Sequence, residues 1–204
     1  MPRAFTEVER QVLTRKLRQA GSNAIARYGL RKLNVEDVAR EAGISKGAFY
    51  LFFPSKEALV VDILGTIETT MRQELEARLN EPATSAREVI VRFLRHLFDV
   101  VEREPVLAVL TNPEEAGYLF RAVPPEELAR RKLDDDRYFE ALFARWQNEG
   151  VLEPIDVHVL SGLPSMVLAL AQQKEMIGRD RFPALMDLLI ESLAHRLAPR
   201  KKGR

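Results

Sequence analysis

The stretch from Asn34 to Leu59 constrains this chain more than any other, because it holds two short helical patterns hinged at a glycine. Asn34 is a good N-cap: its side-chain oxygen can accept the free N–H of Glu36 or Asp37, and those two acids suit the positive end of a helix dipole. Val35, Val38, Ala39 and Ala42 share one face of a helix over residues 35–42, and Ala39 is small enough for another helix to cross it closely. Gly43 supplies the left-handed backbone that ends this helix, and Ile44 plugs the corner. Ser45 repeats the capping logic for a second helix over residues 46–53, on which Phe49, Phe52 and Phe53 reach inward while Lys46, Gly47 and Tyr50 face out. This is the grammar of a helix-turn-helix, whose second helix enters the major groove of DNA. Pro54 closes the unit, and Ser55-Lys56-Glu57 opens the next helix. Lys56 sits beside free helical N–H groups, where it can clamp a phosphate.

The run Glu36-Asp37-Val38-Ala39-Arg40-Glu41-Ala42-Gly43-Ile44-Ser45-Lys46-Gly47-Ala48-Phe49-Tyr50, followed by Phe53-Pro54-Ser55-Lys56-Glu57-Ala58-Leu59, resembles the DNA-binding signature of the TetR (tetracycline repressor) family of transcriptional regulators. Past about residue 80 the likeness is only in length and helical character. The resemblance implies an all-α fold of about nine helices, with a helix-turn-helix DNA-binding domain over 1–54, a ligand-binding and dimerisation domain over 55–198 and a basic disordered tail over 199–204. It implies a homodimer on a pseudo-palindromic double-stranded operator, released by a small, mainly apolar effector and acting most often as a repressor. The residues that would meet DNA are Asn34, Val35, Ser45, Lys46, Gly47, Ala48, Tyr50, Leu51 and Lys56, with Tyr50 and Lys56 at the family's phosphate-holding positions. Three departures thin out the readers: Ala48 stands where Thr or Ser is frequent, and Leu51 and Phe52 where many members have polar side chains. Base edges are left to Ser45, Lys46 and Leu51; Lys46 suits guanine O6/N7 and Leu51 a thymine methyl.

Charge distribution agrees with a polyanion-binding head. Residues 1–56 carry 11 Lys/Arg against 5 Asp/Glu, whereas the remainder carries 20 against 25. The absence of cysteine excludes disulfides and thiolate metal sites and suits a reducing cytoplasm. The first residues contain no apolar segment of the secretory kind, and the longest uncharged run, Val157 to Gln173, is interrupted by His158, Ser161, Pro164 and Ser165. A cytoplasmic protein without a membrane segment is expected.

Elsewhere the patterns are helical. Thr6-Glu7-Val8-Glu9 is a capping box opening a helix to about Tyr28, with Leu13, Leu17, Ala20, Ala24 and Ile25 as its buried stripe and Gly29 as its stop. A long fourth helix over residues 55–80 repeats an apolar residue every four positions, from Leu59 to Leu79, so its stripe drifts and can touch both head and body. Further helices are expected over 85–102, 126–149, 154–177 and 182–197, with short pieces between Glu104 and Pro125 where prolines and Gly117 break the pattern. The last two are apolar over more than one face and need a second partner. The resemblance implies that they pair with their copies in a four-helix bundle, through Leu160, Leu163, Val167, Leu170, Leu185, Leu188, Leu189 and Leu193.

Enzyme chemistry has little support. His96, His158 and His195 fall in different helices, with no nucleophile elbow, phosphate loop or paired ligand spacing, and three consecutive acids at Asp134–Asp136 point in three directions on a helix. No catalytic residue, metal or cofactor is assigned. An effector pocket would be mostly apolar with a few convergent polar groups, and the candidates are Phe93, Leu97, Leu107, Tyr118, Phe120, Tyr138, Phe139, Phe143, Trp146 and Met166. Two other classes compete: a helical small-molecule-binding protein or enzyme of the same fold with no DNA-binding role, and a protein-interaction module built on a helix-turn-helix.

Overall fold

A computed structural model describes residues 5–199, and over them the chain forms helices and turns without a strand. Twelve helical segments follow in order: α1 (Glu7–Tyr28), α2 (Val35–Ala42), α3 (Lys46–Phe49), α4 (Lys56–Leu79), α5 (Ala86–Arg103), α6 (Pro105–Leu110), α7 (Pro113–Ala122), α8 (Pro125–Asn148), α9 (Val157–Leu160), α10 (Leu163–Gln172), α11 (Lys174–Ile177) and α12 (Phe182–Leu197). They divide into two compact units. The first holds the described residues to Thr70 together with Glu104–Pro124, and the second holds Met71–Arg103 and the described residues from Pro125. The division therefore falls inside α4 and sends α6 and α7 to the first unit. The basic residues 200–204 lie outside the described residues.

In the first unit α1 opens with both halves of its capping box: the Thr6 hydroxyl accepts from the Glu9 N–H at 3.2 Å, and the Thr6 N–H donates to the Glu9 carboxylate at 2.8 Å. Leu17, Ala20, Ala24 and Ile25 are buried, joined by Gly21, while Leu13 is only half-buried. At Gly21 the helices come close: a Cβ there would stand 2.9 Å from side-chain atoms of both Leu59 and Ile63 on α4. Leu30, Leu33, Val38, Ala39, Ala42, Phe49 and Phe53 complete the core around these, and burying each phenylalanine contributes about 1.5–3 kcal/mol.

Two expectations need correction. The helix predicted over residues 46–53 is only α3, four residues long, because Pro54 disfavours helical backbone at Phe53; the chain leaves instead through tight bonds from the Leu51 N–H to Ala48 and from the Phe52 and Phe53 N–H groups to Phe49. The single helix predicted over 154–177 is three pieces, α9, α10 and α11. Pro164 lacks the N–H that a continuous helix needs and sits in the first turn of α10, so α9 ends at its cap Ser161 and Gly162 begins α10. These breaks raise the number of helical segments above the nine expected.

The second unit is built on α5, whose Ile90, Phe93, Leu94, Leu97, Val100 and Val101 are buried, with Phe139, Leu142, Phe143 and Trp146 of α8 and Ile190, Ala194 and Leu197 of α12. Polar links fix these helices at the rim: Arg72 of α4 pairs with Asp135 of α8 and lies 4.6 Å over the Tyr138 ring, and Arg95 of α5 meets Asp187 of α12 at 3.0 Å. Among the described residues no helix is long and apolar enough to cross a membrane.

Candidate functional site

The geometry of the head follows from its caps. The Asn34 side chain accepts from the Glu36 N–H at 2.9 Å, so α2 starts there. Gly43 is left-handed (φ 81°, ψ 26°), and the Ile44 N–H returns to the Ala39 carbonyl at 2.9 Å, which turns the chain sharply into Ser45. The Ser45 hydroxyl accepts from the Ala48 N–H at 3.1 Å and starts α3. Ser45, Lys46 and Gly47 are exposed on the first turn of α3, with Tyr50 at 49% and Leu51 at 61% just beyond it. The Tyr50 ring stands edge-on to the buried Phe49 at 5.4 Å, so its hydroxyl end is carried on a fixed base. Arg10 of α1 holds the turn from outside: its guanidinium donates to the Leu51 carbonyl at 3.1 Å and lies 5.1 Å from the Phe52 ring centre.

The nine residues expected at DNA do not share one setting. Ser45, Lys46, Gly47, Tyr50 and Leu51 are exposed together on and after α3; Ala48 and Val35 are half-buried, and the exposed Asn34 has its oxygen engaged in capping. Lys56 is engaged internally. Its ammonium donates to the carbonyls of Arg31 at 3.2 Å and Leu33 at 3.3 Å, and it lies 5.3 Å from the Tyr118 ring centre, so two of its three donors are already taken.

The ten residues expected around an effector divide between the units. In the first, the Tyr118 hydroxyl donates to Glu57 at 2.7 Å, Leu107 is half-buried, and Phe120 is 61% exposed, so Phe120 lines no enclosed cavity in this conformation. Burial and the neighbouring Glu57 push the Tyr118 phenol up to about 12. On Glu57, burial works toward a higher pKa, but hydrogen bonds, above all that from Tyr118, outweigh it and hold the carboxyl below the usual range. In the second unit, Phe93 meets the rings of Phe143 and Trp146 edge-on at 5.4 Å and that of Phe139 at 6.2 Å. Tyr138 stands edge-on to Phe139 at 5.0 Å, Leu97 is buried and Met166 half-buried. These rings fill one another's space as a packed core.

His96 is wholly buried and its Nε2 lies 3.1 Å from the Met71 carbonyl. A carbonyl only accepts, so the proton is on Nε2; the buried Nδ1 has no partner, and desolvation lowers the pKa and keeps the ring neutral. Of the eight residues expected in a subunit interface, Leu160 and Val167 are already buried within one copy and cannot be covered by a second. Leu188, at 65%, and Leu185 are exposed, while Leu163, Leu170, Leu189 and Leu193 are half-buried. Sequence reasoning missed Glu115, which binds the Leu30 and Arg31 N–H groups from α7, and nothing local signals it across 85 residues of chain.

Comparison with known proteins bears on this surface. Residues 17–63 match the family model described as bacterial regulatory proteins, tetR family. YvdT, an uncharacterised HTH-type transcriptional regulator of Bacillus subtilis (strain 168), is 35% identical over 65 residues, which are 32% of this chain and 34% of that protein. The match thus spans about a third or less of the length of the first curated relatives. Among solved structures, a TetR-family transcriptional regulator from Pectobacterium atrosepticum aligns over 97% of this chain and 100% of its own, with a TM-score of 0.71 and 16% identity. The transcriptional regulator FadR of Bacillus subtilis, solved in complex with stearoyl-CoA, aligns over 89% and 98% with a TM-score of 0.60 and 20% identity. At these identities the structures establish a shared fold.

Proposed function

We propose, from the premise that the N-terminal head of this chain belongs to the tetR family of bacterial regulatory proteins, that the protein is a ligand-responsive transcriptional regulator that reads duplex DNA. One observation carries the proposal: the capped first turn of α3 leaves Ser45, Lys46, Gly47, Tyr50 and Leu51 exposed together while Phe49 and Phe53 anchor it beneath. Lys46 reads a guanine edge, Leu51 contacts a thymine methyl, and Tyr50 holds a phosphate.

Two copies bind together. A twofold dimer matches a pseudo-palindromic operator whose half-sites lie roughly 34–36 Å apart, and exposed Leu185 and Leu188 on α12 support a subunit interface there. A small, mainly apolar effector then changes the spacing of the heads through α4, a single helix whose residues belong to both compact units, and a coupling of about 1–3 kcal/mol suffices to release DNA. Bound stearoyl-CoA in the similarly folded FadR supports an effector with a large apolar part. The protein acts in the cytoplasm, as a repressor and without enzymatic activity.

The test is enrichment of duplexes from a random-sequence pool by the full chain, followed by anisotropy titration across salt. Wild type should bind an enriched pseudo-palindrome with affinity that falls steeply as salt rises, and K46A combined with Y50F should weaken it at least tenfold. Equal binding by that double variant, or no enrichment of any duplex, would refute the reading.

A further inference from the structure

The connection between α1 and α2, residues 29–34, is bracketed by two charged side chains of opposite sign. On one side, the Glu115 carboxylate of α7 accepts from the Leu30 N–H at 2.7 Å and the Arg31 N–H at 3.2 Å. On the other, the Lys56 ammonium at the start of α4 donates to the Arg31 and Leu33 carbonyls at 3.2 and 3.3 Å. Backbone donors thus meet an anion and backbone acceptors a cation, and such charge-assisted bonds are about twice as strong as neutral ones.

Each part of the bracket is built. Asn112 caps α7 by accepting from the Glu114 N–H at 2.8 Å, and Pro113 fixes its first turn, which sets where Glu115 projects. Gly29 makes room: a Cβ at that position would stand 2.8 Å from a Glu115 carboxylate oxygen, and its backbone (φ 79°, ψ 170°) is one that only glycine adopts readily. Three residues beyond Glu115, the Tyr118 ring centre lies 5.3 Å from the Lys56 ammonium and its hydroxyl donates to Glu57, so α7 meets the connection through Glu115 and the start of α4 through Tyr118. Leu30 and Leu33, whose backbone is held, are themselves buried, and Asn34 follows directly as the cap of α2.

We infer that Glu115 is a positioning residue for the DNA-reading head, and that Lys56 works with it as an internal strut across the α1–α2 connection rather than as a phosphate clamp. The pair fixes the entry to α2 and, through the Gly43 turn, the presentation of α3. The inference rests on the duplex-binding reading only for its effect on DNA.

Full-length wild type, E115A and K56M are compared in two measurements. In hydrogen exchange, the Leu30 and Arg31 amides of E115A should exchange at least tenfold faster than in wild type, with the amides of α8 unchanged. In titrations against a wild-type-enriched duplex, at a temperature where circular dichroism shows every variant folded, E115A and K56M should both bind at least fivefold more weakly. The slope of log affinity against log salt should stay as in wild type. A phosphate clamp predicts otherwise: K56M would lose about two units of slope, one from each subunit, while E115A bound normally, and that result would overturn the strut. Unchanged exchange at Leu30 and Arg31 would overturn it too. If no duplex is enriched, the DNA reading fails, and the exchange rates alone decide the strut.

Discussion

Arg18 and Asp62 join α1 to α4 fork to fork: Nε donates to one carboxylate oxygen at 2.5 Å and Nη2 to the other at 3.0 Å. Planar guanidinium and carboxylate match in this arrangement, which fixes the angle of approach as well as the distance. The hydrogen bond to Asp62 raises the Arg18 pKa, so the guanidinium stays charged at any working pH. Both side chains keep about a third of their surface in water, which screens the attraction. We expect D62N to lower unfolding free energy by about 0.5–1.5 kcal/mol and R18M/D62N to cost less than the sum of the single changes, as read by urea denaturation.

Gly29 and Gly43 both have positive φ, yet their replacement should differ in cost. Gly43 is in the ordinary left-handed region and a Cβ there would meet nothing within 4 Å, so G43A should cost about 1 kcal/mol. Gly29 lies where non-glycine residues are rarely found, and a Cβ there would stand 2.8 Å from a Glu115 carboxylate oxygen. G29A should therefore cost about 2–4 kcal/mol, the backbone strain and the displaced carboxylate adding together. Equal midpoints in thermal unfolding of the two variants would refute this ordering.

The local features of the head were legible in the sequence because they act over three or four residues. The Thr6–Glu9 box, the caps Asn34 and Ser45 and the Gly43 turn depend on neighbours in the chain, and each stands where its residue type predicts. The inward placement of Phe49 and Phe53 was likewise readable from spacing. What joins the elements was not. Arg18 meets Asp62 across 44 residues, Glu57 meets Tyr118 across 61, and Glu115 meets Leu30 across 85, and no periodicity encodes such partners. The same limit explains Lys56, whose local setting suggests a phosphate site while distant carbonyls accept its hydrogen bonds. It also explains Leu160 and Val167, because an apolar face shows that it needs covering but not whether its own chain covers it.

Leu51 offers a prediction that separates folding from recognition. It is 61% exposed beside Tyr50, while its carbonyl is held by Arg10, so its side chain contributes little to the core. L51A should change stability by less than about 0.5 kcal/mol. It should lower duplex affinity by about 1 kcal/mol where the contacted base is thymine, and leave a site with cytosine there nearly unaffected. Anisotropy titrations on the two duplexes check this.

His96 and His158 should give stability opposite dependences on pH. His96 has its folded-state pKa lowered by burial, so between that value and the unfolded value of 6.5 the unfolded chain binds more protons. Stability then falls as pH drops below about 6.5 and levels off below the folded pKa. His158 has its pKa raised by the hydrogen bond with Glu140 at 2.9 Å; its contribution is fully present below 6.5 and is lost as pH rises through the raised value. The pair at His158 is solvent-exposed, so His96 should dominate. Urea midpoints from pH 5 to 8 should rise with pH in wild type, and H96Q should flatten the lower part of that rise; an unchanged slope in H96Q would show that another group sets it.

Trp146 is the one tryptophan of the chain, and it is buried edge-on to Phe93 in the second unit. Its emission should be blue-shifted in the folded protein and move to the red when that unit unfolds. Because Phe93 touches three other rings, F93A removes partners that cannot all close the gap and should cost about 3–5 kcal/mol. Phe120 is as large but 61% exposed, and F120A should cost less than about 0.5 kcal/mol. The cost of F93A, set against F120A as an exposed control from the first unit, tests whether the aromatic residues of the second unit form a filled core or line an open cavity. Around an open cavity, truncating Phe93 would enlarge a space already present and cost much less. Denaturation followed by Trp146 emission therefore distinguishes the two, and a cost for F93A below about 1 kcal/mol would mean that the rings enclose a ready-made effector site.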